Sequence, residues 1–466
     1  DQYFGAIPPR VKAFMEDIDA KLWKLGITAK TEHCEVAPGQ FEIAPIFSIS
    51  NVALDNNLLV MDILKKTARQ HGLICLLHEK PFDGINGSGK HNNWSLTTDD
   101  GINLFKPGKK PENNSLFQLV LACTMAAVDA HAVLLRLAAS NTGNDHRLGA
   151  NEAPPAIISM YLGDQVGDVV DQIIKNGEAT SSLSSGEIDF GIKKLPKLEK
   201  DPTDRNRTSP FAFTGNRFEF RMVASSNTIG DVNTVLNAMM AEQFEKAVEV
   251  LSKADDFETA VTEYTAKLMR EHQRIIFNGN GYSEEWPVEA EKRGLPNCKS
   301  IVDAIPALLD DTTIEMYGKF GILSKAELAA RKEILFEQYA GVRNIEALTM
   351  VDMANKLIIP ATVKYTKELA DTVLAVKEAG VDATIQAEML ADATAKLAEM
   401  KKAVKNLSEV TEKAANAGDA QAVAVAYKDE VMEAMAELRK PADELEVVMP
   451  KEEWPMPTYG DLVFEL

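Results

Sequence analysis

Lys80-Pro-Phe-Asp-Gly-Ile-Asn-Gly-Ser-Gly-Lys-His-Asn-Asn-Trp-Ser95 is the stretch that decides the reading of this chain. Gly84, Gly87 and Gly89 crowd one short loop, where backbone can approach a ligand that side chains would obstruct. The spacing from Gly84 to Gly89-Lys90 nearly completes a phosphate-binding loop. That motif demands Ser or Thr next and then a helix. His91 stands there instead, and Asn92-Asn-Trp-Ser-Leu-Thr-Thr98 has the composition of a strand. The apolar run Leu73 to Leu77 predicts a buried strand on the other side. The expectation is therefore a hairpin that presents a histidine and bare backbone amides.

The flanks supply carboxylates. Val11, Phe14, Ile18, Leu22 and Leu25 fall at helical spacing, with Gly26 as the cap. Ile27 to Val36 predicts a strand with Thr31, His33 and Glu35 on one face. Pro38-Gly39 turns the chain, and Gln40 to Ser48 returns with Gln40 and Glu42 opposite Phe41 and Ile43. Residues 51–71 read as a helix. Leu116 to Ala139 reads as one long apolar helix, Asn141 to Pro155 as loop, 163–178 as helix and 179–210 as polar and irregular. Asn216-Arg-Phe-Glu-Phe-Arg-Met222 predicts a strand with Arg217, Glu219 and Arg221 on one face and apolar residues on the other. Helices are expected at 232–253 and 257–275.

The chain has 466 residues and a net charge of −20. So strong an acidic balance disfavours nucleic acid and anionic membrane as partners, since both need a basic face. An anionic ligand is still possible through a local knot of arginines. The four cysteines, Cys34, Cys75, Cys123 and Cys298, form no CxxC pair and imply reduced thiols in a cytoplasmic protein. No uncharged apolar stretch reaches the ~20 residues of a membrane span.

From about residue 325 Ala, Glu, Lys and Leu recur at helical periods. Leu390, Leu397 and Val404, with Met400 and Leu407 at the companion offset, predict an antiparallel helical hairpin that turns at Gly418-Asp419 and stops at Pro441. The expected divisions are a catalytic domain over 1–325, a helical extension over 326–440 and a Pro-rich tail over 441–466.

Glu35, Glu42, His91 and Glu219 fall on separate expected strands of one sheet. Carboxylates with one imidazole suit Mg²⁺ or Mn²⁺ better than zinc. Such ions imply a phosphorylated substrate, for which Arg147, Arg205, Arg207, Arg217 and Arg221 provide bidentate cations.

Asn86-Gly-Ser-Gly-Lys-His91 resembles the glycine-rich signature of the glutamine synthetases, and the chain resembles the C-terminal two-thirds of their large type III form. The resemblance covers nearly all of positions 1–280, and the segments beyond about 325 match only the type III form. It implies an α+β catalytic domain on a curved, mostly antiparallel sheet with packed helices. It also implies ATP-dependent ligation of ammonia to L-glutamate through a γ-glutamyl phosphate, with two or more divalent ions, by a homo-oligomer that is a double-ring dodecamer when full length; the alternatives are a γ-glutamyl ligase for an organic amine and a non-catalytic assembly protein of the same fold. Glu35 and Glu42, in Glu35-Val-Ala-Pro-Gly-Gln-Phe-Glu42, would hold one ion, and His91 and Glu219 the second. Asn86 and Gly87 would meet glutamate, with Arg147 and Arg221 on its carboxylates or the transferred phosphoryl group. Arg207 and Arg217 would bind nucleotide phosphates, Phe47 would stack on adenine, and Asn93 and Ser95 would line that pocket. Glu152, in the flap Asn151-Glu-Ala-Pro154, would take a proton from ammonium. Two departures stand out. Ala212 occupies the place of a further arginine, and the family's Glu-x-Glu pair and N-terminal β-grasp domain have no match, so both are expected upstream of Asp1.

Overall fold

The computed structural model describes residues 4–151, 153–183, 187–188, 198–199 and 206–464, with backbone alone at 187–188 and 198–199. The chain divides into two compact units. One comprises residues 1–37 and 42–328, the other 38–41 and 329–466.

In the first unit, helix α1 (Pro9–Lys24) begins with proline at its first turn and buries Val11, Met15, Ile18 and Leu22. Gly26 follows at φ 76°, which lets the chain leave the helix and enter β1 (Ala29–Cys34). Strand β2 (Phe41–Pro45) pairs with β1 as a separate two-stranded sheet. Helix α2 (Ser50–Gln70) closes over them, with Ile18, Leu22, Ile27 and Val60 as a small core. The single sheet expected from the sequence is therefore two.

The apolar run 73–77 is not a strand, and Ile74 and Leu76 are 84% and 60% exposed. Among the described residues it finds no ladder partner, so its hydrophobicity alone does not make it a strand. The glycine-rich segment is correspondingly not one arm of a hairpin. β3 (Gly89–Trp94) pairs instead with β8 (Phe218–Ala224), far along the chain, in the four-stranded order β3-β8-β7-β4. β7 (Phe211–Phe213) runs antiparallel to β8, and β4 (Met160–Tyr161) runs parallel to β7. The fold class is α+β, with this mostly antiparallel sheet at its centre.

The expected single helix over 116–139 is two, α3 (Ser115–Ala130) and α4 (Ala132–Ala138), bent by 78°. At the bend His131 Nε2 lies 3.0 Å from Glu242 Oε2. Phe117 of α3 meets Phe213 of β7 at 5.9 Å, while Phe211 stacks on Phe218 at 4.5 Å. These rings form the core under the sheet. Among the described residues no single helix is long and apolar enough to cross a membrane.

Within the expected loop 141–155 lies a one-turn helix, α5 (Asn144–Arg147). α6 (Gly163–Asn176) follows β4. Of the segment 179–210 expected to be irregular, 184–186, 189–197 and 200–205 lie outside the described residues, and the described part includes the short paired strands β5 (Glu187–Ile188) and β6 (Leu198–Glu199). After β8 come α7 (Gly230–Leu251), α8 (Phe257–His272), α9 (Glu285–Lys292), α10 (Ile301–Ala304) and α11 (Asp311–Lys319). Arg136, buried in α4, lies 3.3 Å from Asp145, whose carboxylate also caps α10 by accepting from Ser300 Oγ and Ile301 N.

Helix α12 (Lys325–Met353) leads into the second unit. There a π-helical turn at Ala354–Ile358 precedes α13 (Ile359–Glu378), whose Pro360 lacks the donor that a regular ladder would need. α14 (Thr384–Ala415) packs on α13 and on α16 (Met432–Val448), with α15 (Ala420–Ala426) between. The expected two-helix hairpin is thus part of a larger bundle. Pro441 does not stop the last helix but lies inside α16. The lost hydrogen bond costs about 3 kcal/mol, and burial of Leu438, Pro441 and Leu445 opposes it. The Pro-rich tail ends in a further helix, α17 (Tyr459–Phe464).

Candidate active site

The site grows from a defect in the β3–β8 ladder. Lys90 pairs with Val223 and Asn92 with Phe220, so β8 carries one extra residue opposite His91. Such a bulge bends the strand and frees ladder groups. The carbonyls it frees are caught from α5. Asn144 Nδ2 donates to Met222 O at 2.8 Å, and the Arg147 guanidinium donates to Arg221 O at 3.1 Å and to Asn144 Oδ1 at 3.2 Å. The bulge also aims His91 at Glu219, with Nδ1 3.0 Å from Oε1. Arg221 reaches the same carboxylate oxygen at 3.2 Å. Glu219 and Arg221 are both buried, and Arg221 Nε has no hydrogen-bond partner among the described residues. A buried, unmatched guanidinium donor is costly, which makes this a place for an anionic acceptor.

Arg147 is fully buried against the glycine-rich loop. A Cβ on Gly89 would overlap its guanidinium, and one on Gly87 would overlap the Glu79 carbonyl. Burial, and next the charge of Arg221, push Arg147 down to about 10, with Glu79 and Tyr282 opposing. It stays protonated at neutral pH. Its nitrogens are spent on the β8 backbone, so it contributes field and rigidity here. Lys90 Nζ donates to the carbonyls of Ser225 and Asn227, the latter at 2.7 Å. Glu79, buried, accepts from Ser226 N at 2.9 Å and Asn141 Nδ2 at 2.9 Å, while its carbonyl accepts from Ser88 N at 2.8 Å. These bonds fix the loop at both ends.

On the neighbouring hairpin, His33 Nε2 lies 2.9 Å from Glu35 Oε1 and 3.4 Å from Glu42 Oε2. The three offer ligand atoms that all lie within 4.8 Å of one another. Burial first, then a carboxyl–carboxyl hydrogen bond with Glu35, push Glu42 up to about 7, while the charges of His91 and His33 pull it down. Two crowded carboxylates with an imidazole beside them are a donor set that a divalent cation fits.

The structure therefore brings Glu35 and Glu42 together, sets His91 on Glu219, and places the second pair within electrostatic reach of the first. Asn86 and Gly87 are half-buried in the fixed loop. Phe47 is 91% exposed, and Asn93, Ser95 and Arg217 are exposed as well. Arg207 lines a different cleft with Tyr161 and Asn278. Arg217 precedes β8 rather than sharing its face with Glu219 and Arg221, because the strand begins only at Phe218. Glu152 and Arg205 lie outside the described residues. Two contributors are absent from the candidates drawn from sequence. His33 was signalled by the alternation that sets it beside Glu35. Glu79 had no signal, because its role depends on loops from distant parts of the chain.

Residues 1–159 match the family model for the glutamine synthetase catalytic domain, and 260–377 match that for the glutamine synthetase C-terminal domain. The chain is 43% identical to a glutamine synthetase of Butyrivibrio fibrisolvens, over 100% of its own length and 67% of the relative's. It is 40% identical to a type-3 glutamine synthetase of Dictyostelium discoideum and 40% identical to a glutamine synthetase of Bacteroides fragilis, covering 64% and 65% of them. The chain thus spans about two thirds of the length of the curated relatives it matches. With such identity along its entire length, the chain belongs to the glutamine synthetase family.

Proposed function

We propose that the protein joins ammonia to the γ-carboxylate of L-glutamate at the expense of ATP, through a γ-glutamyl phosphate. The observation that carries this reading is the juxtaposition of the His33–Glu35–Glu42 cluster with the His91–Glu219–Arg221 group beside a fixed glycine-rich loop. Bound at the two groups, Mg²⁺ or Mn²⁺ would neutralise phosphate oxygens. The chain's own residues do the rest. Arg221 Nε offers its unmatched donor to a substrate carboxylate or phosphoryl oxygen. Asn86 and the Gly87 amide line the approach to glutamate, and buried Arg147 adds positive field behind them. Arg207 and Arg217 would bind nucleotide phosphates, and exposed Phe47, with Asn93 and Ser95, would take the adenine. Glu152 receives a proton from ammonium, so that the neutral amine can displace phosphate from the acyl phosphate.

Positioning and charge neutralisation are what phosphoryl transfer requires of a protein. Four free thiols, Cys34, Cys75, Cys123 and Cys298, suit a reducing cytoplasm. The likeness to the type III form supports a homo-oligomer, proposed as a double ring of twelve subunits. The test is a panel of amines with the intact protein, glutamate and ATP, scoring phosphate release and amide product. Glutamine formed with ammonia supports the reading. Phosphate release only with an organic amine, or none with any amine, overturns it.

A further inference from the structure

The cleft beside Arg207 measures about 480 Å³, and two loops build it. One runs from Asn206 into β7, and the other, Phe277-Asn-Gly-Asn-Gly-Tyr282, follows α8. Three hydrogen bonds join them. Asn206 Nδ2 donates to Gly279 O at 2.8 Å, Gly281 N to Thr208 Oγ1 at 2.7 Å, and the Tyr282 hydroxyl to Arg207 O at 3.2 Å. Their approach is close enough that a Cβ on Gly281 would come within 2.6 Å of Thr208 O.

The second loop is itself firmly held. Phe277 N donates to Met160 O at 2.8 Å, and the Phe277 ring stacks on buried Trp286 at 3.6 Å. Leu162 N donates to Asn278 Oδ1 at 3.0 Å, and Tyr282 N to Asn280 Oδ1 at 3.0 Å. Arg293 lies over both the Phe277 and Trp286 rings. A braced loop thus holds the backbone of Arg207. A side chain on an already fixed backbone has less ordering left to lose when it binds a ligand.

The geometry points to Tyr282 as a positioning residue that, with Thr208, fixes the Arg207 backbone so that its guanidinium meets the phosphate chain of a nucleotide. This rests on the function proposed above. Losing one such hydrogen bond is worth about 3–10-fold. Tyr282→Phe and Thr208→Val in the intact protein should each raise the KM for ATP by about that factor and weaken ADP binding, measured by calorimetry, equally. The KM for glutamate and the melting temperature should stay near the parent's. Thr208→Ser, which keeps the hydroxyl, should restore parental values. The inference is overturned if ADP affinity is unchanged in both Tyr282→Phe and Thr208→Val. It also falls if both KM values shift together with a lowered melting temperature, or if the parent binds no ADP. Glutamine formation by the parent reports separately on the proposed function.

Discussion

His91 Nδ1 lies 3.0 Å from Glu219 Oε1, across a bulge that gives β8 one more residue than β3 has at that point. Glu219 is buried, yet it does not depend on His91 alone, because Arg221 holds the same oxygen at 3.2 Å. His91→Ala should therefore cost little stability in the absence of metal. Mn²⁺ or Mg²⁺ affinity should fall by at least about tenfold. Titration calorimetry alongside thermal melting checks both halves. Unchanged metal affinity with a large loss of metal-free stability would assign His91 to packing instead.

Gly89→Ala is expected to be severe for a steric reason. The new methyl would overlap the Arg147 guanidinium, which cannot swing away without abandoning Arg221 O and Asn144 Oδ1. Overpacking of this kind costs about 1–3 kcal/mol. The melting temperature should drop and synthesis should fall with it. Gly318→Ala makes a useful contrast, because a Cβ there meets nothing within 4 Å among the described residues and its backbone lies within helix α11.

If Glu152 takes the proton from ammonium, Glu152→Ala should slow amide formation by about 10²–10⁴-fold. Affinities for ATP and glutamate should move far less. Near-normal turnover with ammonia in the variant would remove Glu152 from the mechanism.

Away from the site, Glu242 is held down to about 2, first by the hydrogen bond from His131 and also by Lys246, against a desolvation that raises it. A carboxylate whose folded pKa is lowered adds stability above its unfolded value of about 4.5 and loses that contribution as pH falls toward 2. Glu242→Gln should destabilise the protein by on the order of 1–2 kcal/mol at neutral pH. Parent and variant should converge near pH 2. Urea midpoints measured between pH 7 and pH 3 decide it, and a constant gap across that range would contradict the assignment.

The sequence by itself determined the local chemistry and much of the secondary structure. Helical periodicity located α1, α2, α6, α7 and α8 to within a few residues, because amphipathic spacing is a property of contiguous chain. It also supplied the glycines, histidine, carboxylates and arginines from which the candidate site is built. Tertiary structure alone decided which of them meet. The run 73–77 has a strand's composition but gains no ladder partner, whereas β3 finds one in β8, over a hundred residues later. The bend at His131 and the passage of α16 through Pro441 are likewise settled by packing against other elements. Periodicity carries no information about pairing between distant segments. That is why the bulge opposite His91, the anchoring of the loop by Glu79 and the bracing of Arg207 by Tyr282 emerge only when the chain is folded.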